Sequence, residues 1–69
     1  MTRHSVSSSN IASIGHEPES NTLEVEFKNG HVYRYAGVSA EVHRDLMNAG
    51  SIGSHFHKHI RSNYSGSKV

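Results

Sequence analysis

The chain has 69 residues and a formal net charge of +1 at pH 7; 33% of its residues are hydrophobic and 19% are charged. This length allows one small domain, and the absence of cysteine excludes disulfides, a thiol nucleophile and thiolate zinc sites. No apolar run exceeds two residues, so the sequence predicts no membrane span or membrane partner, no signal peptide, and a cytoplasmic location.

The first half of the chain predicts three short strands. Residues 10–16 are expected to form the first, although their apolar side chains alternate imperfectly. Residues 22–28 alternate strictly between apolar and charged side chains, which is typical of a strand with one buried face. Asn29 and Gly30 then predict a tight turn, and the β-forming residues at 31–36 predict the return strand.

The length of this turn decides which face of the hairpin carries the tyrosines. A two-residue loop pairs Lys28 with His31 and exposes both tyrosines. A three-residue loop pairs Phe27 with His31 and directs Tyr33 and Tyr35 inward. The three-residue loop is favoured, because the chain has few large apolar groups and two inward rings would enlarge its core.

Two helices are expected after the hairpin. Ser39 is a suitable N-cap for a helix over residues 39–49, and Ser51 or Ser54 can begin a second helix that ends near residue 61. Strands followed by helices indicate an α+β domain, with a small antiparallel sheet of about three strands and both helices on one face. One core is expected to join Phe27, Leu46 and Phe56.

The segment 23–38 resembles the centre of the KTSC domain. This family is named for its occurrence at the C-terminus of some lysyl-tRNA synthetases, and it also occurs as a stand-alone small bacterial protein. Its hallmark Tyr-x-Tyr motif is matched by Tyr33-Arg34-Tyr35, and the likeness continues at residues 9–15, 51–56 and 60–64. The family is described as of unknown function with RNA binding suggested, so the resemblance implies a fold more firmly than an activity.

The ends of the chain are rich in serine. Residues 1–9 and 65–69 are therefore expected to be loose termini around a single KTSC-like domain at residues 10–64.

Patterns for catalysis and metal binding are weak, and neither an enzyme nor a cofactor is expected. The sequence has no Gly-x-Ser-x-Gly elbow, and its one aspartate, Asp45, would point away from His43 on a helix. His55 and His59 are four residues apart and would share one side of a helix, but no third metal ligand is evident. His57 would point elsewhere on that helix.

The second half of the chain suggests a surface for a polyanion, because no acidic residue follows Asp45. The candidate nucleic-acid-binding residues are Lys58, Arg61, Arg44, His55, His59 and Tyr64. With the tyrosines inward, Arg34 is expected on the opposite, solvated face of the sheet. The sequence therefore predicts a non-catalytic binding module for RNA, either single-stranded or tRNA. The alternative partner is another protein, docked by pairing with a strand at an open edge of the sheet.

Overall fold

In the computed structural model, which describes residues 2–69, a five-stranded antiparallel sheet packs with two helices that lie between its fourth and fifth strands in the chain. The strands follow each other in the sheet in the same order as in the chain. They are β1 (Arg3–Ser5), β2 (Ile11–Glu17), β3 (Thr22–Phe27), β4 (Val32–Tyr35) and β5 (Gly66–Lys68). Helix α1 (Ala40–Met47) and helix α2 (Ile52–His55) follow β4, and α2 continues directly into a π-helix (Phe56–Arg61).

The sheet has five strands, and the prediction of about three was wrong in number. The two additional strands lie in the serine-rich ends of the chain, which were expected to be loose. β1 pairs with β2 through Arg3 and Gly15, and β5 pairs with β4 through Gly66 and Tyr35. Both edge strands are three residues long and polar, so they lack the alternation that reveals a strand in sequence. Backbone pairing with β2 and β4 places them in the sheet.

The hairpin between β3 and β4 has the predicted three-residue loop. The backbone amide of Phe27 donates a 2.9 Å hydrogen bond to the carbonyl of His31, and Gly30 has a φ of 93°. Such a positive φ is open to glycine without steric cost. The register therefore directs both tyrosines toward the helices, as predicted. Tyr35 is part of the core, and Tyr33 lies half-buried at its edge.

The two helices begin where the serine caps predicted. The Ser39 hydroxyl accepts the backbone amide of Val42 at 3.3 Å, and the Ser51 hydroxyl accepts that of Ser54 at 3.4 Å. α1 ends at Met47, two residues before the predicted end. The second helix differs from the prediction in its winding, because its last six residues form a π-helix with hydrogen bonds to the fifth residue along the chain.

One core lies between the sheet and the helices. It contains nine buried hydrophobic residues: Ile11, Ile14, Leu23, Val25, Tyr35, Val38, Leu46, Phe56 and Ile60. The predicted meeting of Phe27, Leu46 and Phe56 is confirmed, with Phe27 half-buried at the margin of the cluster.

The opposite face of the sheet carries a charge network centred on Glu24, which is buried. Its carboxylate accepts from Arg34 Nε at 2.7 Å and lies 3.1 Å from Nη1 of Arg3. Gly15 stands between Arg3 and Glu24 in the strand register, and its missing side chain leaves Arg3 free to cross β2. Arg34 therefore faces away from the helices, as expected, and is held by an ion pair.

Candidate nucleic-acid interface

A groove of about 280 Å³ opens between the β3–β4 hairpin and the π-helix. We call it the aromatic groove. Its lining consists of Asn10, Phe27, Asn29, His31, Tyr33, Tyr35, Gly53, Phe56, His57 and Arg61. Two strands, a turn and a helix thus contribute to one site, which the hairpin register and the π-helix bring together.

Edge-to-face contacts between four aromatic rings form the floor of this groove. Phe56 meets Phe27 with ring centroids 5.7 Å apart and meets Tyr35 at 5.4 Å. Phe27 in turn meets Tyr33 at 5.8 Å, with their ring planes at 83°. Each such pair contributes about 0.5–1.5 kcal/mol beyond the burial of its area. The rings therefore support one another, and the floor is held in place before any ligand arrives.

The rim of the aromatic groove is basic. Arg61 and His57 lie on the side of the π-helix and His31 lies on the side of the hairpin, while no Asp or Glu of residues 2–69 takes part in the lining. Burial raises the pKa of Tyr35, against an opposing effect of Arg61 that lowers it. The phenol consequently stays protonated at neutral pH and keeps a donor within electrostatic reach of the Arg61 guanidinium.

A second, more open cavity of about 710 Å³ adjoins the aromatic groove and shares three lining residues with it, Asn10, Gly53 and His57. We call it the serine cavity. The rest of its lining is Ser7, Ser8, Ser9, Gly50, Ser51, Ile52, Ser54 and Lys58. A Cβ atom at Gly53 would lie 3.0 Å from Oδ1 of Asn10 and 3.2 Å from Oγ of Ser8. Glycine at this position therefore lets the β1–β2 loop approach α2 closely.

The model of the KTSC domain family matches residues 7–64 of the chain. The chain belongs to the KTSC domain family. An uncharacterized protein of Stutzerimonas stutzeri (strain A1501) is 45% identical over 58 residues, which are 84% of this chain and 82% of that protein. The crystal structure of a KTSC domain protein from Yersinia pestis matches with a TM-score of 0.92 and 38% identity, over 99% of this chain and 96% of that chain. The resemblance inferred from the Tyr-x-Tyr motif is confirmed.

A segment of a much longer protein is also similar to this KTSC domain. The lysine–tRNA ligase of Nostoc punctiforme is 41% identical over 54 residues, which are 78% of this chain and 10% of the ligase. A second lysine–tRNA ligase, from a Nostoc species, is 39% identical over a stretch of the same length. The chain therefore spans about a tenth of the length of these ligases.

Four of the residues singled out from the sequence of this KTSC domain lie together. Tyr33 and Tyr35, the outer residues of the family motif, line the aromatic groove together with Arg61. Lys58 lines the adjoining serine cavity. Arg34, the middle residue of the motif, lies on the opposite face of the sheet in its ion pair with Glu24.

The other candidate residues line neither cavity. His55 and His59 pack on each other with ring centroids 4.4 Å apart, and Arg44 is exposed on α1. Tyr64 is half-buried and packs against the core. Their position separates them from the groove that holds Arg61.

Sequence reasoning missed several residues of the site, among them His57, His31 and Asn29. His57 was expected to point away from His55 and His59, and the structure places it on a different side of the helix, where it lines both cavities. His31 and Asn29 flank Gly30 in the hairpin loop, and the Asn29 side chain accepts the backbone amide of His31 at 3.0 Å. The Asn-Gly turn signal was the available clue for these two residues.

Residues 2–69 contain no group of three or more His, Cys, Asp or Glu side chains placed to hold a metal ion. None of the helices in this range is long and apolar enough to cross a membrane.

A separate pair of histidines joins α1 to β2. The rings of His16 and His43 stack with centroids 5.0 Å apart and planes at 10°, and His16 donates from Nε2 to the carbonyl of Val38 at 2.6 Å. Nε2 of His43 is buried and has no hydrogen-bond partner within residues 2–69. Burial lowers the pKa of His43, and the nearby His16 and His4 lower it further. A proton on His43 would therefore be a poorly solvated charge beside other imidazoles.

We expect the free energy of unfolding to fall as the pH drops below about 6.5, the ordinary pKa of histidine. The depressed pKa of His43 means that the unfolded chain binds more protons than the folded one in this range, so acid favours unfolding. Thermal melts between neutral and mildly acidic pH measure the effect. His43→Leu should flatten the dependence, and the exposed His59→Ala should leave it as in the wild type. An unchanged slope in His43→Leu would contradict this explanation.

Proposed function

We propose that this KTSC domain binds single-stranded RNA without catalysing a reaction, with an unpaired base in the aromatic groove and phosphates on Arg61 and Lys58. The observation that carries the proposal is the combination of aromatic rings and basic side chains in one groove whose lining has no acid among the described residues. Single-stranded RNA is recognised largely by stacking of splayed bases on aromatic, histidine or arginine planes.

The local distribution of charge supports RNA binding more strongly than the net charge of the chain does. A net charge of +1 gives no general attraction to a polyanion. Locally, however, Lys58 and Arg61 lie in a stretch that contains no acid after Asp45, and Arg61 reaches the groove itself. The proposed affinity therefore comes from a few phosphate contacts next to a stacking surface. Each contact to a single strand should add about −0.7 to the slope of log affinity against log salt.

The names of two relatives also support RNA as the proposed ligand. Segments 39–41% identical to this chain are found in two lysine–tRNA ligases, whose name refers to tRNA. A domain that binds unpaired RNA would suit such an enzyme as an accessory contact to its substrate. The exposed single-stranded parts of a tRNA are therefore included among the proposed ligands of this chain.

An NMR titration with a short single-stranded oligoribonucleotide tests the proposal. Shift changes are expected at His31, Tyr33, His57 and Arg61, and they should weaken between about 50 and about 200 mM salt because phosphate contacts release counterions. A folded protein without shift changes at low salt would refute RNA binding. The alternative, docking of another protein by strand pairing, predicts partner-induced shifts at β1 or β5 that change little with salt.

A further inference from the structure

We propose that the serine cavity is a ribose–phosphate subsite for the nucleotide next to the base in the aromatic groove, and that it selects RNA over DNA. This inference rests on the proposed function and assigns a second role to a separate part of the surface. The two cavities meet at Asn10, Gly53 and His57, so one strand of nucleic acid can pass from the first to the second without leaving the protein surface.

The side chains that line the serine cavity are suited to bind a sugar and a phosphate. Lys58 supplies a cation, and no acidic side chain of residues 2–69 lines the cavity to compete with a phosphate. Its lining is dominated by serine hydroxyls and contains no aromatic ring apart from the shared His57, so a base has little to stack on. The backbone of a nucleotide fits this lining better than its base does.

The serine hydroxyls fall into two groups. Those of Ser8 and Ser51 are already occupied, because they accept backbone amides in the β1–β2 loop and at the start of α2. Those of Ser7, Ser9 and Ser54 make no hydrogen bond to another side chain or to the backbone within residues 2–69. A free serine hydroxyl can both donate and accept, which matches the 2′-hydroxyl of ribose. Deoxyribose offers no such partner, so the subsite distinguishes RNA from DNA.

Anisotropy measurements with RNA and DNA oligonucleotides of the same sequence test the subsite. We expect the wild type to bind RNA about three- to tenfold more tightly than DNA, the effect of roughly one net hydrogen bond. The triple variant Ser7→Ala, Ser9→Ala and Ser54→Ala should lose most of this preference while its DNA affinity is maintained. Ser5→Ala with Ser65→Ala and Ser67→Ala is the matched control, since these three serines are exposed and line neither cavity, and it should keep the preference.

The outcomes separate this subsite from the proposed function. Equal affinity for RNA and DNA in the wild type, with shift changes still present in the aromatic groove, would overturn the subsite and leave base binding intact. An RNA preference that survives in the Ser7/Ser9/Ser54 triple variant would also overturn it. Absence of binding to either oligonucleotide would overturn the proposed function itself. Circular dichroism melts of each variant show that the compared proteins are folded.

Discussion

Phe56→Ala should leave little folded protein at room temperature. Phe56 is only 3% exposed, begins the π-helix and makes edge-to-face contacts with Phe27 and Tyr35. Removal of a buried phenylalanine side chain typically costs about 3–5 kcal/mol. A domain of this size has a folding free energy near the lower end of the usual ~5–15 kcal/mol. The substitution therefore removes most of the margin that keeps the chain folded.

Thermal and urea melts monitored by circular dichroism measure this effect. Phe27→Ala is the graded comparison, because Phe27 contacts the same ring but is half-buried, and a smaller loss is expected. His59→Ala is the surface control and should melt like the wild type. A cooperative melt of Phe56→Ala within a few degrees of the wild type would show that Phe56 contributes little to the core.

The hairpin could be predicted from sequence because two independent signals agreed on it. Alternation over residues 22–28 identified β3, and the Asn29-Gly30 pair identified its turn. The choice of a three-residue loop followed from the scarcity of large apolar side chains, and the structure places Tyr35 in the core accordingly. A shift by one residue would have turned every side chain of β4 to the other face.

The edge strands and the π-helix could not be predicted because their causes lie in the folded molecule. β1 and β5 are held by pairing with β2 and β4, and neither carries an apolar pattern of its own. The π-helix, Phe56–Arg61, has an apolar residue at each turn that fits an α-helix equally well in sequence. Sequence spacing separates His57 from His55 and His59 correctly, but nothing in the sequence marks the two cavities that His57 lines.

The burial of Glu24 could not be predicted from sequence either, because it also depends on contacts in the folded molecule. In sequence, Glu24 and Glu26 look like two solvated carboxylates on the polar face of a strand. In the fold, Arg3 and Arg34 approach Glu24 from both sides, and Ser13 donates to Glu26 at 2.9 Å. Arg3 and Arg34 are 21 and 10 residues away from Glu24 along the chain, and Ser13 lies on the strand before that of Glu26. Only the sheet register therefore brings these partners to the two carboxylates.

The double substitution Lys58→Ala with Arg61→Ala should weaken RNA binding about tenfold or more at low salt, since a hydrogen bond to a charged group contributes about 1.5–3 kcal/mol. Both side chains are exposed, so the fold should be unaffected. The slope of log affinity against log salt should also become shallower by about 1.4, which corresponds to two lost contacts to a single strand. The loss should be similar for different sequences, because phosphates carry no sequence information.

Arg44→Ala and Arg34→Ala are the controls for charge. Arg44 is exposed on α1 outside both cavities, and Arg34 is paired with Glu24 on the far side of the sheet. Arg44→Ala measures the effect of net charge alone, whereas Arg34→Ala also removes an ion pair of the buried Glu24 and is compared after its fold has been checked. Little change in RNA affinity is expected in either.

Lower pH should strengthen RNA binding by the wild type. His55 and His59 were candidate nucleic-acid-binding residues from the sequence, but the structure places them outside both cavities, whereas His57 and His31 line the aromatic groove. A protonated imidazole adds a positive charge beside a phosphate, so affinity should rise from about pH 7.5 to about pH 6, and His57→Gln should reduce the rise. Equal binding by the wild type and the Lys58/Arg61 double variant at low salt would refute phosphate contacts at this surface. Docking of another protein at a sheet edge would then be the better proposal for the function of this KTSC domain.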